Sequence, residues 1–325
     1  HQYYPLDVRA WVSDFLNHWQ PDMVLWVEQE IWPNMLHEIH QRQIPAILAN
    51  GRLTEKSLKR WLWIKSFARN LLAPFRYIYA QSVLDGNRYE QLSGRSIKTQ
   101  GNLKYAAAPL PYPPLTLDRL KKEIGDRPIW LAASTHLGEE FVIAEAHKLI
   151  LTQHPDALLI IVPRHPDRGD QITQDLNDTL LNVSRRSYNE PVRADTQVYL
   201  ADTFSELGLF YRLSRIAFIG GSLMPIGGHN LIEAAQLECA VLYGPHMHNF
   251  QEVRDLFEEN NLSLTCTTAQ ELSISVLSYM DNPDRLEDIT QSALGMMEKQ
   301  GAVLQDLIQD VEQIADQQLM QTSHG

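Results

Sequence analysis

Two hydrophobic rhythms alternate along the whole chain: short, unbroken apolar runs, and longer stretches in which apolar residues recur every three or four positions. The runs at 23–27, 46–49, 77–80, 129–132, 158–162, 198–200, 216–219 and 241–243 are bounded by turn residues and read as strands. Continuous apolar segments such as AILAN, LLIIVP and IAFIGG are the mark of parallel strands buried on both faces, and the periodic stretches between them read as the covering helices. The fold class predicted is α/β.

The rhythm fails at 106–116, AAAPLPYPPLT, where four prolines fall among small and apolar residues. This reads as a linker between a domain at 1–105 and one at 117–325. A chain of 325 residues supports two domains at about 150 residues each. The last helices start near 283, where proline is followed by acidic residues, and the final helix is expected to pack back on the front domain. The closing MQTSHG reads as a frayed tail.

Composition changes this picture in two places. Apolar and charged fractions of 44% and 21% are those of a folding chain, and the net charge of −12 argues against a general nucleic-acid binder. Between Arg52 and Lys104, however, eleven basic residues meet only Glu55, Asp85 and Glu90. Within 59–76, read as one helix, Trp61, Ile64, Ala68, Leu71, Leu72 and Phe75 share a face flanked by Lys65, Arg69 and Arg76, while Trp63 and Phe67 point elsewhere. A core-facing helix with a solvated basic side and a helix lying on an anionic membrane surface both fit. The absence of Asp and Glu from 56 to 84 favours the membrane. No stretch approaches 18 apolar residues, and no basic-then-apolar signal opens the chain, which starts at His1. Cys239 and Cys266 fit no metal spacing and read as buried thiols, so no structural metal is expected.

Chemistry-bearing residues gather where strands end. The segment FIGGSLMPIGGHNLIEAA, 218–235, reads as strand, glycine turn, second glycine pair and a helix opened by Asn230, an arrangement suited to phosphate. Glu233 in the first turn either caps that helix or accepts from a ribose diol. LLIIVPRHPDR sets Arg164 and His165 between prolines at a strand's carboxyl end, where arginine suits bidentate phosphate contact or simply a surface turn. In AASTHLGEE, Ser134 or Thr135 is expected to cap a helix whose first turn holds Glu139 and Glu140, leaving His136 free to face a cleft. Glu28 ends the strand MVLWV, with Glu30, Trp32 and Pro33 leading into the next helix, and Lys104 precedes the linker.

Taken in order, YYPLD, VEQEIWPN, ANGRL, GNLKY, ASTHLGEE, VPRHPDR and GGSLMPIGGHNLIEAA make the chain resemble, nearly end to end, the 3-deoxy-D-manno-octulosonic acid (Kdo) transferases of lipopolysaccharide synthesis. The resemblance implies two Rossmann-like domains facing a cleft (GT-B type) and inverting transfer of Kdo from CMP-Kdo to a lipid A precursor, lipid IVA. It further implies no metal and no cofactor, at the cytoplasmic face of the bacterial inner membrane. Carried over by position, Glu28 and Lys104 support the transition state. Pro163, Arg164, Phe204, Ser205, Glu206, Asn230, Leu231, Ile232 and Glu233 match the CMP-binding segments. Ser205 stands where glycine is common and Leu231 where proline is common. The family's general base, a glutamate of a glycine-containing loop, matches neither Glu28 nor Glu30. The front domain is therefore expected to be truncated, with base and membrane anchor upstream, and this fragment alone to be inactive. Another nucleotide-sugar enzyme using UDP-N-acetylglucosamine, and a CMP-Kdo or lipid-binding module without turnover, remain as alternatives.

Overall fold

The computed structural model describes residues 1–28, 31–97 and 99–322, so Glu30 and the last three residues of the tail lie outside the described residues. Its elements run α1 (Arg9–Trp19), β1 (Val24–Val27), α2 (Pro33–Gln41), β2 (Ala46–Gly51), α3 (Glu55–Leu62), α4 (Lys65–Leu72), β3 (Phe75–Ala80), α5 (Val83–Ser93) and β4 (Thr99–Gln100), then a 3-10 turn at Leu103–Ala106. There follow α6 (Pro114–Ile124), β5 (Ile129–Thr135), α7 (Glu139–Leu151), β6 (Leu158–Pro163), α8 (Gly169–Asp178), β7 (Val183–Arg185), β8 (Val198–Leu200), α9 (Leu207–Tyr211) and β9 (Ile216–Ile219). The chain closes with α10 (Ile232–Ala235), β10 (Ala240–Tyr243), α11 (Gln251–Glu259), β11 (Ser263–Thr265), α12 (Ala269–Met280), α13 (Pro283–Gly301) and α14 (Val303–Thr322). The residues form two units: His1–Ala107 with Glu298–Gly325, and Ala108–Met297.

The first unit holds a parallel sheet in the order β1-β2-β3-β4. Its buried face packs Trp26, Leu48, Phe75 and Ile78 against Val12, Leu36, Leu58 and Leu71 of the helices. The first two motifs of the resemblance are joined here. Asp7 accepts from the backbone N–H of Asn34 (3.0 Å) and Met35 (2.9 Å), capping the free donors at the start of α2, whose first residue is Pro33. The other face is covered by α14: Val303, Leu307 and Ile314 pack on Ile47, Ala49 and Tyr79, and the Tyr79 hydroxyl bonds Asp310. Residues from 298 onward, assigned by sequence to the second domain with only the final helix packing back, thus group with the first unit.

The second unit is a seven-stranded parallel sheet ordered β11-β10-β9-β5-β6-β8-β7. Its core is built on Trp130, Leu159, Ile161 and Phe218, with Ile143, Ile150, Leu272 and Val276 from α7 and α12. The free cysteines Cys239 and Cys266 are buried.

Four expectations change. The prolines of 106–116 do not all belong to a linker, because Pro114 takes the first position of α6, where a missing N–H costs nothing. The basic segment 59–76 is not one helix: Ile64 at φ −123°, ψ 45° breaks it between α3 and α4, and Phe75 already begins β3. Strands β4, β7 and β11, each at a sheet edge, were not anticipated. Finally, α14 continues helical through Thr322, where a frayed tail was expected from 320.

Candidate functional site

Open parallel sheets bind ligands outside the carboxyl ends of their strands, where the chain switches direction across the sheet. In the second unit this point lies between β5 and β9. The chain runs outward from β5 to β6, β7 and β8, then returns to lay β9 on the other side of β5. Backbones meet closely there: a Cβ on Gly220 would stand 2.5 Å from the Ser134 carbonyl oxygen, so only glycine fits.

The N–H groups after Gly220 do not face open space. Gly221 N (2.7 Å), Ser222 N (3.0 Å), Leu223 N (2.8 Å) and His136 N (2.9 Å) all donate to the fully buried carboxylate of Glu139. The first glycine turn, read from sequence as a phosphate cradle, is therefore filled by the protein's own carboxylate. Glu140 accepts from Thr135 Oγ1 (3.0 Å) and takes both Arg168 nitrogens (2.9 and 3.2 Å), which withdraws that arginine from ligand binding. Ser134 and Thr135 do not cap α7; Gly138 holds that position, with no side-chain cap. Ser134 lies at φ 57°, where β5 bulges.

Around this frame stand the residues singled out in the sequence. Pro163 ends β6 and is buried; Arg164 follows, its backbone N–H tied to Thr135 O (3.0 Å) and its exposed guanidinium making no hydrogen bond or ion pair with the described residues. Beyond β8, the Phe204 ring is 76% exposed and Ser205 sits at φ 62°. That left-handed conformation fits the glycine that the resemblance leads one to expect at position 205, and serine adopts it at a modest cost. Glu206 is not a free carboxylate: Arg186 grips it at 3.0 and 2.7 Å and, with Thr203, holds its pKa below the usual value. Only its backbone remains to offer a ligand.

After β9, Gly227 and Gly228 turn the chain with positive φ, and both N–H groups donate to Gly221 O. The helix expected to open at Asn230 is a single turn, α10, too short for a useful macrodipole. Asn230 Oδ1 accepts from Ile232 N (3.1 Å) and its Nδ2 donates to Glu233 Oε1 (3.1 Å). Leu231 and Ile232 are buried, while Asn230 and Glu233 are partly exposed. The structure thus brings Arg164, Phe204–Glu206 and Asn230–Glu233 to the carboxyl edge of neighbouring strands in one sheet. It also gathers His136, His165 and His229 there; the sequence singles out His136 and His165 one by one, but not their meeting with His229. Among the described residues no group of three or more His, Cys, Asp or Glu could hold a metal ion.

In the first unit, Glu28 and Lys104 come to the same edge of the sheet. Glu28 N donates to Ala49 O (2.9 Å), and Leu103 N donates to Asn50 Oδ1 (3.2 Å), so the two segments dock on consecutive residues of β2. Glu28 is exposed and held at φ 68°, a conformation costly for a non-glycine residue. Lys104 is exposed on the 3-10 turn, which Asn102 caps by accepting from Lys104 N (3.0 Å).

Comparison with known proteins is consistent across the chain. Residues 1–107 match the family model of 3-deoxy-D-manno-octulosonic-acid transferase (kdotransferase). The 3-deoxy-D-manno-octulosonic acid transferase of Haemophilus influenzae is 35% identical over 315 residues, covering 93% of this chain and 72% of that protein; the enzyme of Rickettsia felis is 32% identical, covering 95% and 67%. The crystal structure of the C-terminal CMP-Kdo binding domain of WaaA from Acinetobacter baumannii matches 55% of this chain and 94% of that one, at 36% identity and a TM-score of 0.53. UDP-GlcNAc 2-epimerase from Neisseria meningitidis, at 14% identity and a TM-score of 0.58 over 93% of this chain and 80% of that one, shares the fold of two Rossmann-like sheets. The chain belongs to the 3-deoxy-D-manno-octulosonic acid transferase family.

Proposed function

We propose that the protein transfers Kdo from CMP-Kdo to lipid IVA, displacing CMP with inversion, at the cytoplasmic face of the inner membrane. The observation that carries the donor half is the Arg164 guanidinium, exposed and unpaired among the described residues, at the carboxyl edge of the sheet that also carries Asn230–Glu233 and the exposed Phe204 ring. The departing CMP carries its negative charge on phosphate, which the Arg164 guanidinium stabilises as the bond breaks. Phe204 offers a face for the base, and Glu233 an acceptor for ribose hydroxyls. In the first unit, the carboxylate of Glu28 suits the positive charge that develops at the sugar's reacting carbon, and the Lys104 ammonium suits the carboxylate of Kdo.

Calorimetric titration with CMP, UMP and UDP tests the donor reading. CMP is expected to bind best, and Arg164→Ala to weaken it about tenfold or more, as for a lost charge-assisted hydrogen bond of roughly 1.5–3 kcal/mol. Preference for UDP, or unchanged CMP affinity in the variant, would sink it.

The acceptor lies in a membrane, and a membrane-facing surface is proposed at the corner between α3 and α4. Trp63 is 92% exposed, Ile64 and Phe67 are half exposed, and the exposed Arg60 and Lys65 lie next to them in the chain. This is a tighter patch than the long helix read from sequence, and it joins interfacial aromatics to a positive charge. Vesicles rich in anionic lipid are expected to bind the protein and release it as salt rises, and Trp63→Ser with Phe67→Ser to abolish binding. Equal binding to neutral vesicles would overturn the assignment.

A further inference from the structure

Three histidines at the carboxyl ends of β9, β5 and β6 have no part in the donor reading so far. His136 Nε2 and His229 Nε2 stand 2.8 Å apart, with ring planes 10° from parallel and centroids 5.1 Å apart. With the nitrogens in contact, that centroid separation is reached only when the rings meet edge to edge in one plane. The contact is a hydrogen bond, not a face-to-face stack. His165 meets the His136 ring edge-on at 5.7 Å. Two nitrogens bound at about 2.0–2.1 Å to one tetrahedral zinc would lie farther apart than these do.

An N–H···N bond between imidazoles needs a single proton on the shared side. One ring must be the Nε2–H tautomer and the other must carry its proton on Nδ1. Both rings are neutral in that form; an imidazolium facing a neutral ring keeps the bond, and protonation breaks it only with a proton on both Nε2 atoms. Burial is the main influence toward the neutral form, lowering His136 and, together with His136, Arg164 and His165 nearby, taking His229 to about 4, while Glu139 and Glu140 pull His136 the other way.

The bond crosses the switch point. On one side is the end of β5; on the other is the turn of Gly227 and Gly228, fixed to Gly221 by backbone bonds and leading directly into Asn230. Among the described residues, His229 makes no other side-chain hydrogen bond, so its ring is the tie between the β5 end and the segment that carries Asn230 and Glu233. We propose that the His136–His229 pair is a positioning device for the nucleotide donor, a neutral in-plane bond that pins the Asn230–Glu233 segment in register with Arg164. The proposal rests on the donor-site reading above.

The test combines CMP calorimetry with nitrogen NMR of the histidine rings. His136→Ala and His229→Ala are each expected to weaken CMP binding roughly tenfold, near the upper end for a lost hydrogen bond, and the double variant no further, since the pair acts as one unit. Gln in place of either histidine, whose amide reaches the same point, is expected to restore affinity to within about threefold. In the unsubstituted protein at neutral pH one ring should report an Nε2–H and the other an Nδ1–H tautomer. Additive losses, unchanged affinity in the alanine variants, or identical tautomers in the two rings would overturn the proposal. Should the alanine variants fail to fold, the glutamine variants and the tautomers decide it. If the unsubstituted protein does not bind CMP, the donor-site reading falls, and the ring spectrum still reports on the bond itself.

Discussion

Glu139→Ala is expected to lower the stability of the second unit by about 3–5 kcal/mol, measured by urea unfolding followed by circular dichroism. Its carboxylate holds four backbone N–H groups in a site with no exposed surface, and alanine would leave all four without a partner. Each orphaned donor costs about 1–3 kcal/mol, and the total is discounted because water can enter the space the side chain vacates. Glu139→Gln retains one acceptor oxygen and should fall between. A loss below about 1 kcal/mol for the alanine variant would show that the glycine turn holds itself.

In the full-length gene product, Lys104→Ala should reduce the turnover of Kdo transfer by two to three orders of magnitude, roughly the cost of removing one group that stabilises transition-state charge. Glu28→Gln, which keeps shape and removes charge, should fall in the same range. CMP affinity should stay unchanged in both, because the residues assigned to CMP lie in the second unit. A loss of less than about fivefold, or a loss that appears only in KM, would reassign them to ground-state binding.

Much of this was legible in the sequence, for reasons visible in particular residues. Buried parallel strands announce themselves as unbroken apolar runs, so AILAN, LLIIVP and IAFIGG located β2, β6 and β9. Edge strands of two or three residues, such as β4 and β7, carry no such run. The place of Arg164 at the carboxyl end of β6 was legible because the proline after a long apolar run marks where the strand stops. The filling of the glycine turn was not legible. Glu139 and Gly221 are 82 residues apart, and a glutamate in a helix's first turn already has a local explanation in capping. The histidine pair was hidden in the same way, across 93 residues, until the strand order set β5 beside β9. The helix at 59–76 misled because the periodicity continued through a break that only Ile64's backbone reveals.

The covering of the first sheet by α14 has a consequence for how the protein is made. The second unit is one continuous stretch, Ala108–Met297, and all of it has left the ribosome before the last helix emerges. The first unit is synthesised almost entirely beforehand, yet Ile47, Ala49 and Tyr79 wait for Val303, Leu307 and Ile314. The first sheet is therefore completed by residues that follow the whole second unit, and until α14 has emerged one face of that sheet stays open to chaperones and to other nascent chains.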